Sequence, residues 1–346
     1  MPRKTKQHSY YTEEKWNQVN PFNRKLYDDF FKYCRSTDKS PDTIESYQSN
    51  LHILFIWMLE NADNKNFTEI EKIDIMNFQD WMISEQNLSS NRVRQLKSSV
   101  SSLSNYICDM LDKKYPDFRN IVNKIKPPAK IEVREKTVFT NEQVDLLLKT
   151  LVERKKYCQA CLIACLAASG VRKGEIIQFK TSFFDDVRYD KDSGFYITPE
   201  IRCKGSGKIG KRLTKFVIKE VMYPYFELWM KQREKLGIDS EFLFVHKRNG
   251  EWIPYDDTTV NSLMLTASKI LSLDAYCHAF RHYAATWLKK NGVETSKIRD
   301  FLGHNDSSTT EIYIDIGKEE NLKDMLNFMK KDKVNTEEQN QNNETK

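Results

Sequence analysis

Residues 301–314 read FLGHNDSSTTEIYI and place a histidine, His304, nine residues before a tyrosine, Tyr313. The segment HAFRH at 278–282 precedes it, and SGVRKGEI at 169–176 lies about a hundred residues further upstream. Together these segments supply arginines, histidines and a tyrosine, and no cluster of carboxylates stands beside them. Such a set can surround a phosphodiester and neutralise it, because arginine stays charged and its planar fork matches phosphate oxygens.

A fourth segment, CKGSGK at 203–208, completes the pattern. The four segments, in this order, resemble the tyrosine recombinase (phage integrase) family, which carries an arginine turn, a hairpin lysine, an H-x-L-R-H motif, an L-G-H motif and then a tyrosine. The departure is Ala279-Phe280, where the family usually has a small residue and leucine, and this change is mild. The resemblance implies a mainly α fold, with a helical, SAM-like core-binding domain and an α+β catalytic domain that contains a small antiparallel β-sheet.

The resemblance also implies which residues carry the chemistry. The expected catalytic set is Arg172, Lys204, His278, Arg281, His304 and Tyr313, with Glu175 in support. Tyr313 would attack the phosphorus, and a neutral His278 would accept its proton. Lys204, in a glycine-flanked turn, would protonate the departing 5′ oxygen, although Lys208 lies in the same turn and competes for this role.

The remaining members of the set would act on the phosphate or on each other. Arg172 and Arg281 would grip the non-bridging oxygens and favour the phenolate, since a free tyrosine has a pKa near 10. His304 would donate a hydrogen bond to the phosphate, and Glu175 would buttress a cationic side chain. Among the 16 tyrosines, Tyr276 and Tyr283 beside the HAFRH motif are expected to be structural.

Charge supports a polyanionic partner. The net charge is +6 and the pI is about 8.7, yet the 49 acidic residues exclude a histone-like arm. Clustering is more informative, because residues 202–219 hold seven lysines and arginines and no aspartate or glutamate. A strip of one sign requires counter-charges from a partner. The basic residues expected to contact DNA are Arg92, Arg94, Lys97, Lys126, Lys130, Lys208, Lys211 and Arg212, the first three of which could also form a solvated helix face.

The length of 346 residues predicts two domains. The sequence KPPAK at 126–130 marks the linker, because two prolines cannot continue a helix. The expected divisions are a flexible N-terminus at 1–20, a helical core-binding domain at 21–125, a linker at 126–136, a catalytic domain at 137–330 and a disordered tail at 331–346.

Periodicity predicts the elements within these domains. Helices are expected to begin at Ser40-Pro41, to cover about 70–84, to follow Ser89-Ser90-Asn91, to begin at Thr140 with a capping box to Gln143, and to cover 157–168. Alternation predicts strands at 187–189, 195–201 and 213–218, joined by turns at 192–194 and 205–207. After Phe244 the pattern predicts helices again.

The seven cysteines have no paired spacing, which favours a reduced, cytoplasmic protein. The abundance of lysine, asparagine and isoleucine suggests, on composition alone, an AT-rich bacterial or phage genome. Cys158, Cys161 and Cys165 share one helical face, and we interpret them as small apolar core residues rather than metal ligands. The first residues contain no apolar core of a signal peptide, and the apolar run 161–168 is too short to cross a membrane.

The resemblance implies a site-specific recombinase or integrase of a mobile genetic element. It would cut and rejoin double-stranded DNA at specific sites through a 3′-phosphotyrosine, without metal, ATP or another cofactor, and exchange strands through a Holliday junction. The expected assembly is a homotetramer held together by the segment after Tyr313, which could instead pack on its own domain. An accessory directionality protein is a further expected partner.

Three other functions compete with this interpretation. A type IB topoisomerase would form the same tyrosine ester but reseal the same strand. A DNA-binding protein that has lost catalysis would keep the fold, although all six expected catalytic positions are filled. A metal-dependent nuclease would need clustered carboxylates, and the candidate site offers Glu175 alone.

Overall fold

The structure is a computed structural model that describes residues 10–129, 139–205, 207 and 210–303. The chain forms two compact units, an N-terminal unit that contains 10–129 and a C-terminal unit that contains 139–204 and 211–303. The predictions for the first nine residues, the tail and Tyr313 lie outside the described residues. Most of the predicted linker also lies outside them, so the domain boundaries stay predictions.

The N-terminal unit is helical. Its α-helices are α1 Glu13–Gln18, α2 Pro21–Ser36, α3 Pro41–Asn61, α4 Lys72–Asp80 and α5 Ser90–Met110. Ser40 and Ser89 cap α3 and α5, as predicted, because each hydroxyl accepts a hydrogen bond from a backbone N–H in the first helical turn. One apolar core joins the helices, and its fully buried side chains include Trp57, Phe55 and Leu54.

Two predictions for this unit require correction. Residues 10–20 were expected to be flexible, but Thr12 caps α1 and Val19 is buried in the core. Trp16 packs edge-on against Tyr27, so aromatic contacts hold this segment in place. The helix expected at 70–84 begins later and changes form, since a π-helical turn at Trp81–Glu85 follows α4.

The C-terminal unit surrounds a buried helix. Its α-helices are α6 Asn141–Glu153, α7 Tyr157–Ser169, α8 Lys173–Ile176, α9 Lys219–Lys235, α10 Asp257–Leu271, α11 Cys277–Lys290 and α12 Thr295–Leu302. Helix α7 is almost entirely buried because α6, α9 and α11 pack around it, and its apolar sequence suits that position. Cys158, Cys161 and Cys165 are buried there, as the apolar interpretation predicted. The Thr140–Gln143 capping box is confirmed.

Short antiparallel strands complete this unit. They are β1 Tyr189–Asp190, β2 Phe195–Ile197, β3 Ile201–Cys203, β4 Lys211–Leu213, β5 Phe216–Ile218, β6 Val245–Arg248 and β7 Glu251–Pro254. They pair as β1-β2-β5, β3-β4 and β6-β7. In register, Phe195 faces Ile218, Ile201 faces Leu213 and Val245 faces Pro254. The predicted fold class, mainly α with a small antiparallel sheet, is confirmed.

The strand predictions were wrong in three details. The two strands expected at 195–201 and 213–218 are each broken at Thr198 and Lys215, because the Lys215 N–H donates to the Thr198 side-chain hydroxyl instead of to a backbone carbonyl. Val187 lies in a 3-10 turn, 89% exposed, rather than in a strand. The chain after Phe244 first forms the β6–β7 hairpin, whose turn is Asn249-Gly250 with both residues at positive φ.

Two findings concern the expectations about membranes and metals. Across the described residues, no helix combines the length and apolar character that a membrane span requires. Within the same part of the chain, no three His, Cys, Asp or Glu side chains converge as a metal-binding group.

Candidate active site

Arg172 follows a tight turn at Gly170, where both the backbone conformation and the close packing require glycine. Gly170 ends α7 in the left-handed conformation, with φ +59°. A Cβ at this position would lie 2.5 Å from Leu302 Cδ2 and 3.3 Å from the Ala284 Cβ, so the turn packs closely against α11 and α12. The chain then turns outward to Arg172, whose side chain is 29% exposed.

Glu175 holds Arg172 in place through both of its carboxylate oxygens. The Arg172 backbone N–H donates to Glu175 Oε2 at 2.9 Å, and Arg172 Nη1 donates to Oε1 at 3.1 Å. The carboxylate is buried, and the Oε2 that accepts the Arg172 N–H also lies 3.2 Å from Lys215 Nζ. Burial alone would raise the pKa of Glu175, but the Lys215 cation and then Arg172 hold that pKa below its usual range. The predicted buttressing role of Glu175 is consistent with this geometry.

Arg281 joins the segments that are distant in sequence. On α11 it is buried, and its Nη1 donates to Gly170 O at 2.8 Å while its Nη2 donates to Leu302 O at 2.7 Å. These carbonyls end α7 and α12, so one guanidinium bonds the arginine turn to the helix that leads into the Leu302-Gly303-His304 motif. Two of its five N–H donors are used in these bonds, and the buried Nε has no hydrogen-bond partner among the residues that the structure describes.

The two arginines are close enough to repel each other. Burial, and then the Arg172 cation, lower the pKa of Arg281 to about 10. Arg281 therefore remains charged near neutral pH, and its charge is only partly balanced by Glu175. A site with two neighbouring guanidinium groups and one carboxylate has a surplus of positive charge, which an anionic ligand would neutralise.

His278 and the residues after it occupy the start of α11. Ala279 and Phe280 are fully buried, and Phe280 packs on Phe139 with ring centroids 4.8 Å apart. The mild departure from the family pattern is therefore accommodated by the core. His278 is exposed, and its ring meets that of His282 edge-on at 4.9 Å.

This arrangement has clear counterparts among known proteins. The profile of the phage integrase family matches residues 137–320, and that of the phage integrase N-terminal SAM-like domain matches residues 26–113. The chain belongs to the phage integrase family. It is an enzyme of the tyrosine-type, site-specific DNA recombinase class.

Relatives and solved structures agree with this assignment. The SPbeta prophage-derived recombinase-like protein YomM of Bacillus subtilis is 28% identical over 87% of this chain and 89% of its own length. Tyrosine recombinase XerD of Oceanobacillus iheyensis is 24% identical over 86% of this chain and 95% of its own. A lambda integrase tetramer bound to a Holliday junction shares the fold, with a TM-score of 0.60 at 16% identity, over 87% of this chain and 80% of that chain.

The β3–β4 hairpin of this phage integrase family member carries exposed basic residues. Lys204 follows β3 and is exposed, and Lys211 is exposed on β4. Arg202 and Arg212 face each other across the hairpin in register, and both are exposed. Like charges opposite each other destabilise a strand pair, and Glu200 at 3.9 Å from Arg212 Nε compensates weakly. An anionic partner on this face would stabilise the hairpin.

Several predicted site residues of this integrase lie outside the described residues. These are His304, Tyr313, Lys130 and Lys208. The two alternative tyrosines are described. Tyr283 donates its hydroxyl hydrogen bond to Asn141 Oδ1 at 3.1 Å, and burial raises its pKa to about 12. Tyr276 caps the start of α11. The hydrogen bond of Tyr283 to Asn141 and its packing against the core of this unit fit the predicted structural role.

The basic residues of the N-terminal unit are placed differently from one another. Lys97 is 7% exposed, and its ammonium donates to Gln79 Oε1 and to Ile125 O, both at 2.7 Å. The expectation that Lys97 faces a phosphate is therefore wrong in this structure, because burial and two protein acceptors hold the ammonium inside. Arg94 Nε donates to Pro128 O at 3.0 Å, so it also anchors the start of the predicted linker.

Arg92 and Lys126 differ in exposure, since Arg92 is partly buried and Lys126 is exposed. Arg92 Nη1 donates to Gln95 Oε1 at 3.0 Å, and burial lowers its pKa. Lys126 is exposed. Of the predicted DNA contacts in this unit, Lys126 is thus the exposed one among the described residues.

Sequence reasoning missed the role of Lys215. It counted this residue among the basic strip at 202–219, but the side chain is 3% exposed and lies against Glu175. A signal was present, because alternation along 213–218 puts Lys215 on the same face as Leu213 and Val217. That pattern predicts an inward lysine.

Proposed function

We propose that this chain cuts and rejoins double-stranded DNA at specific sites through a covalent 3′-phosphotyrosine formed by Tyr313. The supporting observation is Arg281, which bonds Gly170 and Leu302 and so assembles the arginine turn, α11 and the helix before His304 into one site. The segment that carries Tyr313 follows this helix in the sequence. The nucleophile, Tyr313, lies ten residues beyond Gly303 in the sequence, and we expect it to enter the site from that segment.

The two arginines supply the electrostatic part of the reaction. Attack on a phosphodiester adds negative charge to the non-bridging oxygens, and preorganised donors in a partly dry site stabilise that charge. Arg281 has three N–H donors beyond its two carbonyl bonds, and Arg172 has donors beyond those that Glu175 accepts. We expect these remaining donors of the two guanidinium groups to bind the non-bridging oxygens of the phosphate.

The covalent step exchanges one phosphate ester for another. The Tyr313 oxygen forms a bond to phosphorus while its proton passes to His278, and the bond from phosphorus to the 5′ oxygen breaks. Lys204 donates the proton that the departing 5′ oxygen needs, and its exposed position after β3 allows the hairpin to bring it to DNA. A 5′-hydroxyl from a second duplex then reverses the step on a new partner. Because the ester keeps the bond energy, ATP is not needed, and Arg172 and Arg281 supply the positive charge that a metal ion would otherwise provide.

The assembly in which this happens is proposed to be a homotetramer that holds a Holliday junction. Support comes from the lambda integrase tetramer, whose fold this chain shares. The segment after Tyr313 would join the protomers. Lys126 and the exposed basic residues of the hairpin are the proposed contacts to the DNA backbone, and an accessory directionality protein is a further proposed partner.

A covalent-trapping assay tests the nucleophile. Full-length protein is incubated with nicked duplexes tiled from the DNA that flanks the gene, in the presence of EDTA. The expected result is a protein–DNA adduct from the wild type and from Tyr283→Phe, and none from Tyr313→Phe. An adduct that persists in Tyr313→Phe would show that another residue is the nucleophile. Loss of the wild-type adduct in EDTA would contradict the metal-free mechanism.

Strand exchange separates a recombinase from its alternatives. When a second labelled duplex is added to the trapped complex, a recombinase joins the first strand to the second duplex. Resealing of the original strand alone would indicate topoisomerase-like chemistry. Specific binding without any adduct would indicate a DNA-binding protein that has lost catalysis.

A further inference from the structure

Lys215 stands at the break between β4 and β5, and the break aims it inward. Its backbone N–H donates to Thr198 Oγ1, and its carbonyl accepts from the Thr198 N–H, both at 2.9 Å. This pair replaces regular ladder bonds where Pro199, which lacks an N–H, interrupts the opposite strand. The side chain enters the core beneath the arginine turn and is 3% exposed.

The ammonium of Lys215 lies between two segments of the candidate site. On one side, Nζ is 3.2 Å from Glu175 Oε2, the oxygen that also accepts the Arg172 N–H. On the other side, a Cβ built on Gly303 would lie 3.3 Å from Nζ, so the ammonium is close to the end of α12. Carbonyl groups give a helix C-terminus a partial negative charge, which a lysine cation stabilises.

Charge gives the second reason to assign Lys215 a role. Glu175 holds Arg172 in place, but its negative charge also weakens the attraction of the site for a phosphate. The Lys215 cation offsets the negative charge of Glu175, so the positive charges of Arg172 and Arg281 remain available to the ligand. Nζ lies 3.2 Å from Glu175 Oε2 and makes no hydrogen bond of good geometry with the described residues. Its effect on Glu175 is therefore mainly electrostatic.

We propose that Lys215 is a positioning residue of the active site, whose buried cation acts through Glu175 on Arg172 and supports the backbone at Gly303 that leads to His304. The proposal rests on the proposed cleavage function. It differs from the role of Lys204, which is exposed and would donate a proton to the DNA.

The test measures the rate of adduct formation on the nicked duplex that the wild type cleaves, with full-length protein and saturating DNA. The variants are Lys215→Met, Lys215→Arg, Glu175→Gln and the double variant. Arg233→Met is the control, because Arg233 is another buried cation of this unit, bonded to the carbonyls of Phe242 and Leu243 away from the arginine turn. Rates are taken per folded molecule, from circular dichroism of the same samples.

Lys215→Met is expected to slow adduct formation about 100-fold, a loss typical of one preorganised electrostatic group. The dissociation constant for DNA should change little, since Lys215 does not face the ligand. Lys215→Arg should recover part of the rate because it restores the charge. Arg233→Met should lose stability but keep its rate per folded molecule. A wild-type rate in folded Lys215→Met would overturn the proposal.

The double variant tests the route through Glu175. If Lys215 acts through that carboxylate, the double variant should be no slower than Lys215→Met alone. A loss equal to the product of the two single losses would overturn the route. If Lys215→Met does not fold, the double variant is compared with Glu175→Gln instead, because it removes the carboxylate that Lys215→Met leaves without a cation. Equal rates of the double variant and Glu175→Gln support the route, and a slower double variant overturns it. No adduct from the wild type would overturn the cleavage function itself, and this inference with it.

Discussion

Each unit buries one lysine that the sequence had placed in a basic cluster, and the two lysines have different partners. In the N-terminal unit, Lys97 donates to the neutral acceptors Gln79 Oε1 and Ile125 O. In the C-terminal unit, Lys215 faces the carboxylate of Glu175. Burial, and then Arg94, lower the pKa of Lys97, because no anion compensates it. The first lysine therefore fixes a backbone segment, whereas the second adjusts the charge of a site.

The same contrast exists between two arginines within the C-terminal unit. Arg281 and Arg233 are both buried, and both donate to backbone carbonyls. Arg281 lies near Arg172 and has donors to spare, whereas Arg233 lies at the end of α9 and closes the loop that leads to β6. The two arginines are thus equally buried but differ in their proposed functions. The same substitution made at each of them can separate an effect on stability from an effect on DNA cleavage.

The largest effect is expected from Arg281→Lys compared with Arg233→Lys. Each change keeps a positive charge but removes the fork, so each should lower the free energy of unfolding by about 1–3 kcal/mol. Only Arg281→Lys should also reduce adduct formation, by about 1,000-fold, because the fork then no longer holds phosphate oxygens. Rates per folded molecule in the trapping assay check this. Equal rate losses in the two variants would mean that Arg281 is structural only.

The second comparison concerns two glycines around Arg172. Gly170→Ala should lower the free energy of unfolding by about 1–3 kcal/mol, because alanine is strained at φ +59° and its Cβ would lie 2.5 Å from Leu302 Cδ2. Gly174→Ala is the control, since nothing lies within 4 Å of its Cβ position and it is helical. It should be neutral or stabilising by about 0.5–1 kcal/mol. Urea unfolding curves measure both, and an unaffected Gly170→Ala would refute the close packing of α7 against α12.

The third comparison uses pH. The pKa of Glu175 is held below its usual range in the folded state, so its contribution to stability is complete above the unfolded pKa of about 4.3. It is lost as the pH falls through the lower, folded pKa. Glu175→Gln should therefore be less stable than the wild type at neutral pH, because Lys215 keeps an unpaired buried charge. The two stabilities should converge in acid.

Asp29→Asn is the control for this pH dependence. The hydrogen bond from Lys25 also lowers the pKa of Asp29, but this pair is on the surface of the N-terminal unit, with Lys25 75% exposed. Solvent screens an exposed pair and its side chains lose entropy on pairing, so the pH-dependent difference from the wild type should be smaller. Unfolding in urea at several pH values measures both variants. A larger difference for Asp29→Asn than for Glu175→Gln would contradict the buried network.

Local signals predicted the helices well because their causes lie within a few residues. Ser40, Ser89 and Thr140 form their caps by hydrogen bonds to the next turn, and sequence alone shows them. The same reasoning could have found the β6–β7 hairpin, since Asn249-Gly250 is a strong turn signal, but the helical pattern that follows was extended backward over it.

The site itself depends on contacts that are distant in sequence. The resemblance supplied Arg281 as a phosphate ligand, but its bond to Gly170 O spans 111 residues, and no local pattern contains that bond. At the strand breaks the Thr198 N–H donates to Lys215 O, while the Lys215 N–H donates to the Thr198 side-chain hydroxyl, and both bonds join the two strands. Charge clustering misplaced Lys97 and Lys215, because composition along the chain does not show which side of an element faces the core.

The smallest effect is expected from surface charge and gives the finest test of the contrast between buried and exposed lysines. Lys126→Met should reduce the slope of log affinity for DNA against log salt concentration by about 0.9, the loss of one phosphate contact. Lys97→Met should leave that slope unchanged, because its ammonium is bonded to Gln79 and Ile125 inside the unit. Fluorescence anisotropy with a labelled duplex over a range of salt concentrations measures both slopes. A reduced slope for Lys97→Met would show that its ammonium leaves these acceptors for a phosphate when DNA binds.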